Sequence, residues 1–563
     1  MSVAIRIGGE SFRTIREGNY YYADKTSFIE ELFAGSQADV SLITRPRRFG
    51  KTLLMNMLYE FFSAEKESSN IFDGLAISKN TELCAAWMNA YPTIFLSLKE
   101  FYGKTFQEAI AKFANYLSGY LIQNFTFLLN SPSVEDEDKH SIRLLRSENA
   151  GTLQVAAALS LLMRCLYMHY TKKVIVLIDE YDVPLAKAYE NSYYDEMVDF
   201  IRTMFGSALK TNSNLNFSIV TGCLRIAKES IFTGLNSFEC YGIEECDFTD
   251  KFGFSESEVE TLLAEANMED KKLTIQEWYD GYIFGDGQKM YCPWDVLLYV
   301  KSLQKSSKAK PKNYWSNTSG NSILVDFLDK TNFTIKDKIE KLINGGWITA
   351  EINEALTYDE LYTSEDNFWT LLYLTGYVTK LPEEKIAEYE LGTDDEKTYL
   401  VIPNQELHNL FVMSVQKLFL NTMVQYNRKK MFDAFWDGNT DIFCDELQHA
   451  LRNSISYYDY QENFYHAFVT GIFYGSGYTA ISNREGGTGR MDICILDERS
   501  SQAAVIEIKH TRERNTLQKI ADAALAQIDH NDYDSRLYDY RHLIRWGIGF
   551  CKKSCSVCCR TLK

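Results

Sequence analysis

The sequence predicts a multidomain α/β protein, and three stretches carry that reading. The run ADVSLITRPRRFGKTLLMNMLYEFF (38–62) passes from an apolar strand through a basic loop into a helical pattern. KKVIVLIDEYD (172–182) is a short continuous apolar run that ends in acids, the pattern of a central strand covered on both faces. MDICILDERSSQAAVIEIKH (491–510) reads as a hairpin of two alternating strands about the polar turn Asp497–Gln502. At 563 residues the chain exceeds a single core and suggests roughly three domains.

The elements follow in order. YYADKTSFIEELF (21–33) predicts a turn and then a helix, with Ser27 and Glu30 at capping-box spacing. After the strand–loop–helix run, Ser131–Ala150 is polar and charged and reads as a loop or insertion. LQVAAALSLLMRCLYMHY predicts an amphipathic helix that feeds the acid-tipped strand, and NFSIVTG is another apolar strand about 40 residues on. This alternation implies a parallel-sheet domain over 1–240. Residues 241–405 turn mostly helical and aromatic (WYDGYIFG, YCPWDVLLYV, NYWSNTSGNS). FWTLLYLTGYVTKL and TYLVIP, separated by a polar turn, give this lid a winged-helix-like end. Residues 406–563 are helices leading into the terminal α/β unit.

Composition narrows the function. The hydrophobic share of 45% is that of globular protein, and no apolar run approaches the ~20 residues that span a bilayer. MSVAIRIGGESF lacks a signal-peptide pattern, so a cytoplasmic protein with reduced thiols and no membrane partner is expected. The tail CKKSCSVCC has no standard zinc spacing, and the eight histidines form no H-E-x-x-H. A net charge of −18 argues against a protein that coats nucleic acid, yet Ala503–Lys563 holds 11 Lys and Arg against 7 Asp and Glu.

RPRRFGKT places Gly50, Lys51 and Thr52 in the order of a phosphate-binding loop. There backbone N–H groups cradle phosphate, the lysine reaches the outer phosphates and the hydroxyl helps hold Mg²⁺. The first glycine of the usual pattern is Arg45 here. Asp179 then suits a Mg²⁺ ligand and Glu180 an acceptor of the attacking water's proton. In the terminal hairpin, pairing symmetric about the Arg499/Ser500 midpoint sets Asp492 against Glu507. Opposed like charges destabilise a strand pair unless a cation lies between them. Two such carboxylates form a hard-cation site for Mg²⁺, and Lys509, two residues after Glu507, shares its face and can neutralise a phosphate under attack.

YYADKT, RPRRFGKT, LIDEYD, TGCLRIAKESIFTGLN, YDGYIF, YCPWDVL and YWSNTSGN together resemble the bacterial AAA-ATPase-like family. Its members commonly end in a nuclease domain of the PD-(D/E)XK superfamily. The resemblance implies an AAA-like P-loop domain, a helical and winged-helix-like lid, and a restriction-endonuclease-like α/β domain. It makes RPRRFGK the family's ordinary phosphate loop, with Arg48, Phe49, Gly50, Lys51 and Thr52 as nucleotide contacts, and it suggests Arg225 as a nucleotide sensor. Asp24 and Lys25 match the family's DKT, although a turn and cap explains them as well. In the terminal domain it maps the variable acid onto Asp492 and the (D/E)-x-K onto Glu507 and Lys509. It adds Glu462 as a metal ligand, Arg484, Gln527 as a group orienting Lys509 or the phosphate, and Tyr533. The implied function is ATP binding and hydrolysis with Mg²⁺-dependent cleavage of nucleic acid, DNA first, under nucleotide control. A homo-oligomer is left open. The alternative is an ATP/ADP switch of the STAND type whose terminal domain binds a partner or nucleic acid without cutting.

Overall fold

A computed structural model describes residues 3–562 apart from 36–37, 148–149, 226–230, 233–236, 316–334, 359, 362, 393–396, 425–428, 454–461, 475–477, 487–488, 498–499 and 534–536. The chain divides into two compact units, 1–318 with 349–407, and 319–348 with 408–563. Among the described residues no helix is long and apolar enough to cross a membrane.

The N-terminal unit is built on a parallel sheet of β1 (Val40–Thr44), β2 (Thr93–Ser97), β3 (Val174–Asp179), β4 (Leu215–Gly222) and β5 (Phe238–Tyr241), in the order β2-β3-β4-β1-β5. Every residue of β1 and β3 is buried, which is why both read as unbroken apolar runs. Register pairs Thr44 with Gly222, Ile178 with Val220 and Ser97 with Asp179. The carboxyl ends of β1, β3 and β4 therefore finish along one edge, where α/β sheets place ligands. Helix α1 (Lys51–Phe62) starts at that edge and packs back across β2 and β3.

Two local expectations are corrected. The helix Ser27–Leu32 is entered from Thr26 without a side-chain cap, because Glu30 is engaged by the Asn80 amide (3.0 Å) and Asp24 holds the turn by accepting from Thr26 N and Oγ1. Within Ser131–Ala150, Asp136–Arg146 is a helix. Asp136, Glu137 and Asp138 open it, Arg143 and Arg146 close it, and both ends suit the helix dipole.

Of the segment expected as a lid (241–405), residues 241–318 and 349–405 share the N-terminal unit. The segment contains the hairpin β6 (Tyr282–Phe284)–β7 (Gln288–Met290), helix α2 (Pro293–Lys305), helix α3 (Glu365–Thr375), and a three-stranded sheet of β8 (Ile348–Ala350), β10 (Thr398–Val401) and β9 (Thr379–Lys380) in that order. Ile5, from the start of the chain, lies in the lid core with Val259, Leu262, Tyr279 and Val296, so the first residues fasten the lid. Asp295, in the first turn of α2, and Glu406 are both only 2% exposed. Glu406 accepts from Trp315 N (2.5 Å). Burial, reinforced for Glu406 by the neighbouring Asp295, pushes both carboxyls far above the ordinary range, so the pair retains a proton at neutral pH.

The C-terminal unit has a five-stranded sheet: β11 (Thr479–Gly486), β12 (Gly489–Asp497), β13 (Gln502–His510), β14 (His542–Cys551) and β15 (Ser554–Thr561), ordered as in sequence. Only β13–β14 is parallel. Helices α4 (Lys429–Trp436), α5 (Thr440–Asn453) and α6 (Glu462–Tyr474) cover one face through Phe435, Phe443 and Phe473 against Ile506, Ile508, Trp546 and Phe550. Helix α7 (Leu517–Asn531) covers the other, where Ile528 and Tyr533 meet Cys494, Val505 and Leu543.

Carboxyls raised in the folded state bind more protons than the unfolded chain does, so their stabilisation is complete in acid and drains as pH rises. Wild type is therefore expected to lose thermal stability from about pH 5 to about pH 9, and Asp295→Asn to flatten that slope by on the order of 1 kcal/mol or more. Melting curves of both proteins across that range check it.

Candidate functional site

Each unit gathers charged side chains at its strand ends. In the N-terminal unit the chain leaves β1 at Thr44 and turns through Arg45–Gly50 into α1. Arg48 (φ 70°) and Gly50 (φ 89°) are both left-handed. A Cβ added at Gly50 would meet nothing within 4 Å, so glycine answers there to the dihedral angle and not to crowding. The Lys51 ammonium, 6% exposed, donates to the carbonyls of Arg45 (2.8 Å) and Pro46 (2.9 Å) and lies 3.6 Å from Cys223 Sγ.

The loop's other side chains run elsewhere. Arg45 is fully buried and donates Nη1 to the carbonyls of Thr44 (2.9 Å), Tyr241 (2.8 Å) and Gly242 (2.5 Å), and Nη2 to Asp247 (3.2 Å). Burial lowers its pKa to about 10, which leaves it charged. Where other phosphate loops use a glycine, this one is tied by a guanidinium to the chain after β5. Arg47 lies within electrostatic reach of Asp182, Cys223, Tyr358 and Tyr377. Arg48 stacks 3.8 Å over Trp294, close to Asp295 and Glu406. Phe49 is buried against Tyr282 and Phe284, and its carbonyl accepts from Gly253 N (2.9 Å). Of the five expected nucleotide contacts, Gly50, Lys51 and Thr52 line the loop and helix start, whereas the side chains of Arg48 and Phe49 are engaged by the lid.

Across the sheet edge, Asp179 is 1% exposed and its Oδ1 accepts from Thr221 Oγ1 (2.5 Å). Its buried Oδ2 meets no donor at hydrogen-bond distance among the described residues. Burial raises its pKa, opposed by the hydroxyls of Thr221 and Thr52 and by Lys51. That opposition places both residues expected to hold Mg²⁺ beside the lysine. Glu180 follows with φ 55°, a left-handed backbone that a non-glycine residue adopts at a cost and that aims it out of the strand line. Burial first, and Asp179 second, raise its carboxyl. Asp182 accepts from Cys223 N (2.9 Å) and Leu224 N (3.2 Å) and so fixes the turn after β4. Arg225, further along that turn, has Cys240 of β5 and Glu354 among its electrostatic neighbours. Asp24 and Lys25 hold structure: Asp24 Oδ2 accepts from Ala76 N (2.7 Å), and Lys25 pairs with Glu258 (2.6 Å) of the lid.

In the C-terminal unit the hairpin register is the one that symmetry about the turn midpoint requires. Asp497 pairs with Gln502, and the ladder runs up to Ile493 with Ile506. One step further the strands part, and Asp492 Oδ2 accepts from Ile508 N (2.9 Å), so the carboxylate caps the ladder directly beside Glu507. Alternation places Asp492, Glu507 and Lys509 on the α7 face, continuing Cys494, Val505 and Ala503. Glu507 is 3% exposed, and Gln527 of α7 donates Nε2 to its Oε1. Gln527, expected to orient Lys509 or the phosphate, is hydrogen-bonded here to the acid itself. Tyr533 OH lies 3.4 Å from Gln527 Nε2 and 2.8 Å from Asn531 Nδ2. Glu462 heads α6 and Arg484 lies in β11, with side chains outside the described residues. No group of three or more potential ligands forms among the described residues. Two oxygen acids beside an ammonium-bearing side chain fit Mg²⁺, which takes one or two carboxylates and fills its shell with water and phosphate.

Four contributing residues escaped the sequence reading. Thr221 supports Asp179 from the neighbouring strand; it lies at the end of the strand NFSIVTG and opens the motif TGCLRIAKES, from which only Arg225 was singled out. His466 Nε2, from α6, contacts the Asp492 carbonyl (2.7 Å). Gly547 and Gly549 are register partners of Glu507 and Lys509. A Cβ at Gly547 would fall 2.3 Å from Ala521 O, and one at Gly549 2.7 Å from Leu517 O. These glycines let α7 settle against β14 and bring Gln527 to Glu507.

Residues 6–232 match the family model described as a predicted AAA-ATPase, and residues 460–560 match that of the PD-(D/E)XK nuclease superfamily. The chain joins an AAA-ATPase-like domain to a PD-(D/E)XK nuclease superfamily domain. The AAA-ATPase-like match ends just after β4, so it contains the loop, Asp179 and Thr221; the nuclease superfamily match spans α6 to β15. A similar protein is the uncharacterized protein in the vnfD 5′ region of Azotobacter chroococcum mcd 1. It is 27% identical over 324 residues, 57% of this chain and 55% of that protein. The chain thus spans about half the length of this curated relative.

Arg45→Gly, which restores the usual loop glycine, is expected to destabilise the N-terminal unit by ~3 kcal/mol or more by stripping charged hydrogen bonds from buried carbonyls, without improving nucleotide affinity. Melting curves and nucleotide titration check it. Gly547→Ala in the PD-(D/E)XK domain is expected to cost about 1–3 kcal/mol by pushing α7 off β14, seen as a lower urea midpoint.

Proposed function

We propose that the protein binds and hydrolyses ATP at the phosphate loop and cleaves nucleic acid, DNA in the first instance, at the C-terminal acids under nucleotide control. The observation that carries the nuclease half is the hairpin register, which sets Asp492, Glu507 and Lys509 on one face with Gln527 against Glu507.

In the ATPase domain, the N–H groups of the loop and the start of α1 bind the phosphates, with Lys51 at the outer ones. Thr52 and Asp179 would hold Mg²⁺, which supplies charge neutralisation between phosphates. Thr221 fixes the rotamer of Asp179. Glu180 accepts the proton of the attacking water, and its raised carboxyl brings its basicity nearer neutral pH. In the nuclease domain, Asp492 and Glu507, with Glu462 in the shell, would hold a Mg²⁺ ion that supplies Lewis acidity at the phosphodiester. Lys509 offsets negative charge on the phosphate, and Gln527 keeps the Glu507 carboxylate oriented. Control begins at the loop: Arg47, Arg48 and Phe49 carry any nucleotide-dependent rearrangement of Gly50–Thr52 into lid side chains.

Single- and double-stranded DNA and RNA incubated with Mg²⁺ and ATP test the reading. Asp492→Asn and Lys509→Ala are expected to lose cleavage by at least ~100-fold with ATP turnover intact. Lys51→Ala is expected to lose nucleotide binding and the ATP dependence of cleavage. Glu180→Gln is expected to keep ATP binding and lose turnover by about 10²–10⁴. Wild-type turnover should fall as pH drops through a midpoint above the ordinary carboxyl range. Cleavage equal in wild type and Asp492→Asn would overturn the nuclease assignment.

A further inference from the structure

The β14–β15 hairpin carries four of the chain's twelve cysteines, in different surroundings. Cys558 Sγ donates to the Ala521 carbonyl on the α7 face (3.1 Å), and Cys559 Sγ to the Gly438 carbonyl near α5 (3.2 Å). Cys551 is buried in the last position of β14. Cys555 is buried and faces Cys444 of α5, with the two sulfurs 3.8 Å apart. The contact is reciprocal: Cys444 Sγ lies 3.4 Å from the Cys555 carbonyl and Cys555 Sγ 3.7 Å from the Cys444 carbonyl. Gln448, one turn further along α5, bridges the pair by donating Nε2 to Cys444 Sγ (3.3 Å) and to the Cys555 carbonyl (3.2 Å).

The two thiols are not equivalent. Cys444 is half-buried, and donors converge on its sulfur. The Cys555 thiol, followed by the Gln448 amide, holds its pKa down at about 7 against burial and the charges of Asp445 and Asp441. Burial pushes Cys555 up. An accessible sulfur that ionises near neutral pH, with a second buried sulfur at its side, is the division of labour between an attacking and a resolving cysteine.

We propose that Cys444 and Cys555 form a reversible disulfide on oxidation by peroxide, tying α5 to the edge strand β15. The Cys444 thiolate attacks a peroxide oxygen: an S–O bond forms, the O–O bond breaks, and the departing hydroxide takes a proton to become water. The sulfur is oxidised by two electrons, and the peroxide is reduced by two. Cys555 then gives up its proton as its sulfur displaces hydroxide from the sulfenic acid, so that S–S forms, S–O breaks and a second water leaves. The sulfurs must close by about 2 Å, which side-chain rotation supplies. A dithiol reverses the reaction by exchange.

The test uses the full-length protein, reduced and then exposed to a small molar excess of hydrogen peroxide, with free thiols blocked before digestion. Non-reducing peptide mapping is expected to show a Cys444–Cys555 cross-link, the loss of two of the twelve blockable thiols, and full recovery with dithiothreitol. The melting temperature of the oxidised protein should rise by about 5 °C or more. In the reduced wild-type protein iodoacetamide should label Cys444 at least ~10-fold faster than Cys558, with the rate rising through about pH 7, and Cys555→Ser removes the resolving sulfur. The same variant should carry peroxide oxidation at Cys444 on to sulfinic acid. Wild-type protein that yields sulfinic Cys444 beside free Cys555, a different pairing, or twelve intact thiols overturns the proposal. That mapping does not depend on any variant folding.

Discussion

A one-residue slip in the pairing of β12 with β13 would turn every side chain of that hairpin to the opposite face, because strand side chains alternate with a period of two. Ile493, Ile495, Ile506 and Ile508 would leave the core they share with Phe435 and Trp546. Asp492, Glu507 and Lys509 would move with them into it. Folding of the C-terminal unit and assembly of its acids are therefore one event, decided by where the isoleucines go. Burial of four such side chains, worth about 1.5–3 kcal/mol each, holds in place a juxtaposition of carboxylates that their own repulsion opposes. The strands separate just where the acids begin, and the Ile508 N–H, which a continued ladder would direct to backbone, is taken by Asp492.

The phosphate loop obeys a related constraint, since buried charge must find partners. Its basic residues divide the work. Lys51 is held by the loop's own carbonyls, Arg45 by those after β5, and Arg47 and Arg48 by lid aromatics and acids. A basic loop before a helix would ordinarily be read as an electrostatic bed for phosphate. Here three of its four cations serve as the joint between the parallel sheet and the lid. That arrangement explains why an arginine can stand where a small, flexible residue is usual: the site needs a fixed anchor more than it needs freedom of the backbone.

Both sites also depend on close approach. Glycines at 547 and 549 remove the side chains that would hold α7 away from β14, and the Gln527–Glu507 contact follows from the distance thereby gained. At the sheet edge of the other unit, the parallel register brings Thr221 beside Asp179, so that a hydroxyl from one strand supports an acid on the next. In each case a buried acid is steadied by a residue from an element distant in sequence.

The chain's local pattern was enough to locate the central strands, the phosphate loop, the acid-tipped strand and the hairpin with its register. Each of these is dictated by burial periodicity within a few residues, and the turn midpoint alone determines that Asp492 stands opposite Glu507. Local pattern misjudged the entry at Ser27 and the segment 131–150, where a competing partner for Glu30 and an arrangement of charges along a helix outweighed the signals used. Tertiary structure alone decided what the arginines of the loop bind, that Gln527 meets Glu507, that Thr221 and His466 support the acids, and that Cys444 and Cys555 face one another. The reason is physical: periodicity tells which face a side chain takes, but the partner it finds there comes from another element, and nothing in the local sequence encodes that distance.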